Sequence, residues 1–136
     1  MSAFAYSAAY LSQGSNNLFK EHGVDKEKLH MTTCFDTSAT IAPANNIDIV
    51  HKTAVITKIT EWNTPSGPYV VAELADCGWS LVLNSHFRAL GAVEDLPHKP
   101  HITLMKSSEP ELVAYLQSLV GQTLVFDSHM IKVKGL

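Results

Sequence analysis

The chain has 136 residues, 46% of them hydrophobic and 17% charged, a balance ordinary for a single soluble globular domain spanning 1–136. Its formal net charge is −3, and of its ten Lys and Arg only Arg88 is an arginine. A protein that grips long nucleic acid neutralises many phosphates with such residues, so the balance argues against that class and fits a small anionic ligand held by a few groups.

In chain order, residues 4–11 read as a strand, apolar and rich in small residues. They have no basic flank, since the first lysine is Lys20, and they are too short and interrupted to span a bilayer. The reading is a cytoplasmic protein with no membrane partner. Ser15 is placed to cap a short helix over 16–22, which Gly23 ends. A loop over 24–28 leads into a strand-like run, 28–35, that contains His30-Met31-Thr32. Residues 53–62 and 69–75 read as a hairpin joined by the Pro- and Gly-bearing turn 63–68.

Residues 79–83 read as another strand, followed by a helix capped by Asn84 or Ser85, running through Leu90 and stopped by Gly91. A loop over 93–97 leads to the run 99–105 with its own His101-Ile102-Thr103. Strand, capped helix, glycine stop, acidic loop and His-x-Thr thus occur twice in the same order, which predicts two related lobes. Ser108 and Glu111 form a capping-box pattern ahead of Leu112, Tyr115, Leu116 and Leu119 at helical spacing. Strands at 123–126 and 130–133 close an α+β fold.

The two tripeptides carry the chemistry. Side chains at i and i+2 of a strand share a face, so each motif presents an imidazole beside a hydroxyl and turns its apolar middle residue inward. Two such pairs facing one another supply an acid, a base and two donors for phosphate oxygens, which suffices for phosphodiester cleavage without a metal. Cys34 and Cys77 read as buried reduced thiols in strand-like runs. The histidine spacings and the lone cysteines match no metal-ligand pattern, so neither metal nor other cofactor is expected. Of the other histidines, His22, His51, His86 and His129 read as surface or capping residues, while His98, three residues before His101, is placed to reach a phosphate. Tyr10, with Tyr6 on its face, and Trp62 are candidate platforms for a nucleobase, whose stacking is worth about 1–3 kcal/mol. Trp79 reads as core, and Lys106 as a solvated lysine.

These residues resemble the 2H phosphoesterase superfamily, whose signature is two His-x-Thr/Ser motifs set in apolar strands. The likeness covers nearly the whole chain, with His101 lying 71 positions after His30. One departure is Thr33, where an apolar residue usually follows the first motif. The resemblance implies two pseudo-symmetric lobes of antiparallel sheet with flanking helices around a central cleft, and catalytic roles for His30, Thr32, His101 and Thr103. The short acidic chain is most similar to the phage branch of that superfamily that degrades cyclic oligonucleotide messengers of bacterial antiviral (CBASS) signalling, enzymes that clamp adenine with aromatics. That similarity implies cleavage of a small, adenine-containing cyclic oligonucleotide in the host bacterial cytoplasm. The alternatives are a 2′,3′-cyclic phosphodiesterase or 2′–5′ ligase-like enzyme acting on RNA ends, and a cyclic-nucleotide sponge that does not cut.

Overall fold

A computed structural model describes residues 3–75, 77–95, 97–106 and 110–135. Six strands, β1 (Phe4–Leu11), β2 (His30–Asp36), β3 (Lys52–Thr64), β4 (Gly67–Leu74), β5 (His101–Lys106) and β6 (Thr123–Lys134), are joined by three α-helices, α1 (Gln13–Glu21) after β1, α2 (Gly78–Ala89) after β4 and α3 (Pro110–Leu116) after β5. The fold is therefore α+β. All strand pairs are antiparallel, and the strands follow one another in a closed ring in the order β1-β2-β5-β4-β3-β6. The core joins the apolar strand face, including Ala5, Met31, Ile56 and Ile102, to Phe19 of α1, Leu83 and Phe87 of α2, and Leu116 of α3.

Helix α1 begins three residues earlier than the sequence suggests. Its N-cap is Ser12, whose Oγ accepts from the Ser15 amide at 3.2 Å. The Ser15 hydroxyl instead accepts from the Val125 amide at 2.8 Å, tying the helix to β6. The largest correction concerns residues 79–83, which are not a strand but the first turns of α2. Ser80, Leu83, Asn84 and Phe87 are buried while Leu81 and Val82 are exposed, the spacing of a helix with one core face. Asn84 consequently lies inside the helix and caps nothing; its amide donates to the Thr33 carbonyl and to Glu94 Oε1, each at 2.8 Å. Cys77 is the N-cap of this helix, outside any strand, and both cysteines are buried and unpaired. Burial pushes the Cys34 thiol up to about 12, with Glu94 and Asp36 adding to the effect, so it stays protonated and inert.

The hairpin is tighter than the composition implies: β3 and β4 pair as far as Thr64 and Gly67, leaving only residues 65 and 66 between them. The closing strands are one continuous β6. Ser108, expected to cap α3, lies outside the described residues.

Both glycine stops are present, and they are built alike. Gly23 and Gly91 have φ of +92° and +110°, in the region where L side chains are strained. In each case the next residue's amide bonds back to a buried phenylalanine carbonyl, Val24 to Phe19 at 3.0 Å and Ala92 to Phe87 at 3.1 Å, the six-to-one closure of a Schellman motif. A Cβ at Gly23 would sit 2.8 Å from Leu112 Cδ1.

The two motif strands share a second device. In β2, Ser7 pairs with Cys34 but Ala8 pairs with Thr32, so Thr33 is the extra residue of a bulge. In β5, Val70 pairs with Met105 but Val71 pairs with Thr103, so Leu104 is extra. Both extra residues lie three positions after the motif histidine, and both are fully buried. A bulge shifts the face of everything beyond it, which returns Phe35 and Lys106 to exposed positions.

Candidate active site

Met31 and Ile102 are paired across β2 and β5 and are both fully buried. Continuing that antiparallel register sets His30 opposite Thr103 and Thr32 opposite His101 on the other face. The structure thus gathers all four motif side chains into one diagonal array, with His30, Thr32 and His101 half-buried and Thr103 exposed.

Each imidazole is oriented in the same way. His30 Nδ1 lies 3.3 Å from the Lys28 carbonyl and His101 Nδ1 2.7 Å from the Lys99 carbonyl, in both cases two residues back along the chain. A carbonyl only accepts, so Nδ1 carries the proton and the neutral ring leaves Nε2 as a free acceptor. Burial holds both imidazoles below their ordinary value, against the raising effect of these carbonyl bonds.

The surroundings of the two rings then differ. His30 is paired in the sheet with Tyr10, whose ring lies 5.2 Å away, and Tyr6 stacks on it at 6.2 Å. The Lys132 ammonium stands 5.7 Å over the Tyr10 ring, and with Lys26 it depresses His30 further. His101 is paired with Glu73, and the Trp62 ring lies 4.3 Å from it. Trp62 Nε1–H donates to Glu73 Oε2 at 3.0 Å, Lys99 reaches the other Glu73 oxygen at 3.5 Å, and the same ammonium lies 5.1 Å over the indole. The Glu73 charge raises His101, while Lys99 and His30 lower it. Burial pushes the Glu73 carboxyl up, and the indole donor and Lys99 more than offset it, so it remains ionised.

A cavity of about 640 Å³ opens beside the array, with Thr32, His101, Trp62, Phe35 and His98 in its wall. His98 lines the cavity, and its Nε2 meets Ser80 Oγ at 3.2 Å. Tyr10 does not line this cavity; it walls a second one, described below. Trp79, expected in the core, packs on Phe126 at 5.3 Å, with its indole N–H on the Thr53 carbonyl at 2.8 Å.

His129 departs most from the sequence reading. It is buried at 2% exposure, stacked on Phe87, and not on the surface. Its Nδ1 meets Asn46 Oδ1 at 2.6 Å and its Nε2 meets Thr33 Oγ1 at 2.8 Å, while Thr33 Oγ1 contacts Ser7 Oγ at 2.6 Å. Thr33, polar where the motif pattern has an apolar residue, is thus fully satisfied. On the other side of the bulge Asp36 accepts from the amides of Ser38, Thr40, Ile41 and Val93 at 2.6–3.1 Å. Burial raises its pKa, but these donors outweigh that and hold the carboxyl down at about 2.

Among the described residues, no group of three or more His, Cys, Asp or Glu side chains is arranged to hold a metal ion, and no helix is long and apolar enough to cross a membrane. No known protein-family pattern matches the chain, and no curated protein matches it significantly.

Proposed function

We propose that the chain is a metal-independent phosphodiesterase of the 2H type that opens a small cyclic oligonucleotide, with His30 and His101 as the proton-transfer pair. The observation that carries this reading is the matched orientation of the two imidazoles, each with Nδ1 bonded to the carbonyl two residues back and each beside a threonine hydroxyl across the sheet. Nothing in sheet packing requires that duplication. Two Nε2 atoms presented to one ligand allow one to take the proton of an attacking hydroxyl while the other protonates the leaving oxygen, each transfer contributing about 10²–10⁴-fold. Thr32 and Thr103 donate to the non-bridging oxygens, where charge builds in the transition state.

Two pseudo-symmetric lobes meeting at a central cleft belong to the same proposal. Supporting them are the twin bulges at Thr33 and Leu104 and the twin caps at Gly23 and Gly91. In the matched register Tyr10 corresponds to Glu73 and Lys132 to Trp62. The symmetry of the backbone is therefore broken in charge. A cation beside His30 favours its neutral form, and a carboxylate beside His101 favours its protonated form. We accordingly assign His30 as base and His101 as acid in ring opening. With a free 2′-hydroxyl as nucleophile, a 3′–5′ linkage is transposed to a linear product ending in a 2′,3′-cyclic phosphate, the 2′-proton passing to His30 and a proton from His101 to the 5′-oxygen that leaves. Trp62, on His101, supplies the stacking surface for a base such as adenine.

The test is incubation with a panel of cyclic di- and trinucleotides and 2′,3′-cyclic-phosphate RNA ends, in EDTA. Cleavage of the cyclic compounds under chelation is the expected result. Activity lost in EDTA and restored by Zn²⁺ or Mg²⁺ overturns the mechanism, and processing of RNA ends alone favours the alternative on termini. Tight binding of a cyclic compound without cleavage makes the protein a sponge.

A further inference from the structure

A second cavity, of about 370 Å³, is walled by Tyr10, Lys28, Ser128 and Lys132. Tyr10 is the residue packed on His30, so this cavity adjoins that imidazole across a single ring. The larger cavity meets the same array from the side of Thr32 and His101. The two cavities therefore flank the His/Thr array.

Their linings differ in charge and in aromatic surface. The larger has the aromatic surfaces of Trp62 and Phe35; its ammonium, Lys99, is engaged by Glu73, and of its two carboxylates Glu94 is paired with Arg88 while Asp95 repels a phosphate. The smaller has two ammonium groups and the neutral donors Ser128 and Gln13. Its carboxylate, Glu27, is already ion-paired with Lys20. Among the described residues, neither Lys28 nor Lys132 has a carboxylate partner of its own. The Lys132 ammonium stands 5.7 Å over the Tyr10 ring, at the rim beside His30.

We infer that this smaller cavity seats the phosphate adjacent to the one being cut, so that the enzyme selects ligands with at least two phosphodiester groups. The nucleoside between them lies toward the aromatic side. The inference rests on the phosphodiesterase reading above and extends it to substrate choice. Lysines facing a phosphate position a ligand without reading its bases, so the subsite selects on phosphate number and spacing.

The experiment compares wild type with the Lys28→Gln/Lys132→Gln double variant on two substrates, a cyclic dinucleotide and a 2′,3′-cyclic mononucleotide. The expected result is that KM for the cyclic dinucleotide rises about tenfold, that its advantage in KM over the mononucleotide shrinks by the same factor, and that the salt dependence of binding falls by about one in slope. If KM for the cyclic dinucleotide and its salt dependence are unchanged while wild type still cleaves, the subsite is refuted and the phosphodiesterase reading stands. If wild type cleaves neither compound, that reading fails, and equilibrium binding of the cyclic dinucleotide decides the subsite separately. About tenfold weaker binding to the double variant supports it; equal affinity, or no binding to wild type, overturns it.

Discussion

Acid titration of the buried His129 gives the fold a pH dependence that one substitution removes. In the native protein His129 Nδ1–H donates to Asn46 Oδ1, and Nε2 accepts from the Thr33 hydroxyl. A second ring proton would turn that acceptor into a donor facing Thr33, whose oxygen is already engaged by Ser7. Burial depresses the imidazole to about 4, against a weak opposing pull from Asp48, whereas an unfolded histidine titrates near 6.5. Between those values the unfolded chain binds a proton that the native one does not. This contribution to stability is therefore fully present above about pH 6.5 and is lost as pH falls toward 4. The interval corresponds to about 3 kcal/mol.

The assay is urea unfolding of wild type and His129→Gln at intervals from pH 7.5 to 4. Glutamine keeps an acceptor for Thr33 and cannot titrate. Wild type is expected to lose about 3 kcal/mol more than the variant across this range. His30 and His101, also held below their usual values by burial, contribute in the same direction to both proteins and cancel in the difference. Asp36, held at about 2, acts below this window. Parallel stability curves for the two proteins would refute the reasoning.

Three further outcomes follow from the site. His30→Ala and His101→Ala each lower kcat by at least about 10²-fold with melting temperatures near wild type, because neither side chain belongs to the core cluster; activity within a few-fold of wild type removes that residue from the mechanism. For ring opening, kcat/KM is bell-shaped, with its maximum below pH 6.5, because the base and the acid are both depressed by burial. Glu73→Gln removes the carboxylate that raises His101 while leaving an acceptor for Trp62, so the limb on which rate falls with rising pH moves to lower pH. An unmoved limb, or movement of the other limb instead, reverses the assignment of acid and base.

The heart of the site was legible because strand alternation is strict: once residues 30–32 and 101–103 are strands, each histidine shares a face with its threonine and turns Met31 or Ile102 inward. Tyr10, in β1 beside β2, and Trp62, in β3 two strands from β5, were legible as candidate aromatics. Their partners were not. Glu73 and Lys99 matter through a cross-strand register that only the folded sheet supplies. The helical nature of 79–83 was hidden because five consecutive residues, four of them apolar, satisfy a strand as well as a buried helix; the signal lay further on, in the buried Asn84 and Phe87 that extend the helical spacing. Ser12 and Ser15 are both competent caps, and the choice between them is made by Val125, more than a hundred residues away. The bulge at Leu104 had no local mark, whereas the one at Thr33 was marked by that residue's polarity. Thr33 stood out as a polar residue in an apolar run, but its partners Ser7 and His129 come from distant strands.

The central claim, two-histidine catalysis with the ribose hydroxyl as nucleophile, is tested most directly by product analysis of a cyclic dinucleotide and its 2′-deoxy analogue, both incubated with wild type in EDTA. The account predicts a linear product carrying a 2′,3′-cyclic phosphate from the ribose compound, and no cleavage of the deoxy compound despite continued binding. Cleavage of the deoxy analogue at a comparable rate would make water the nucleophile and contradict the account.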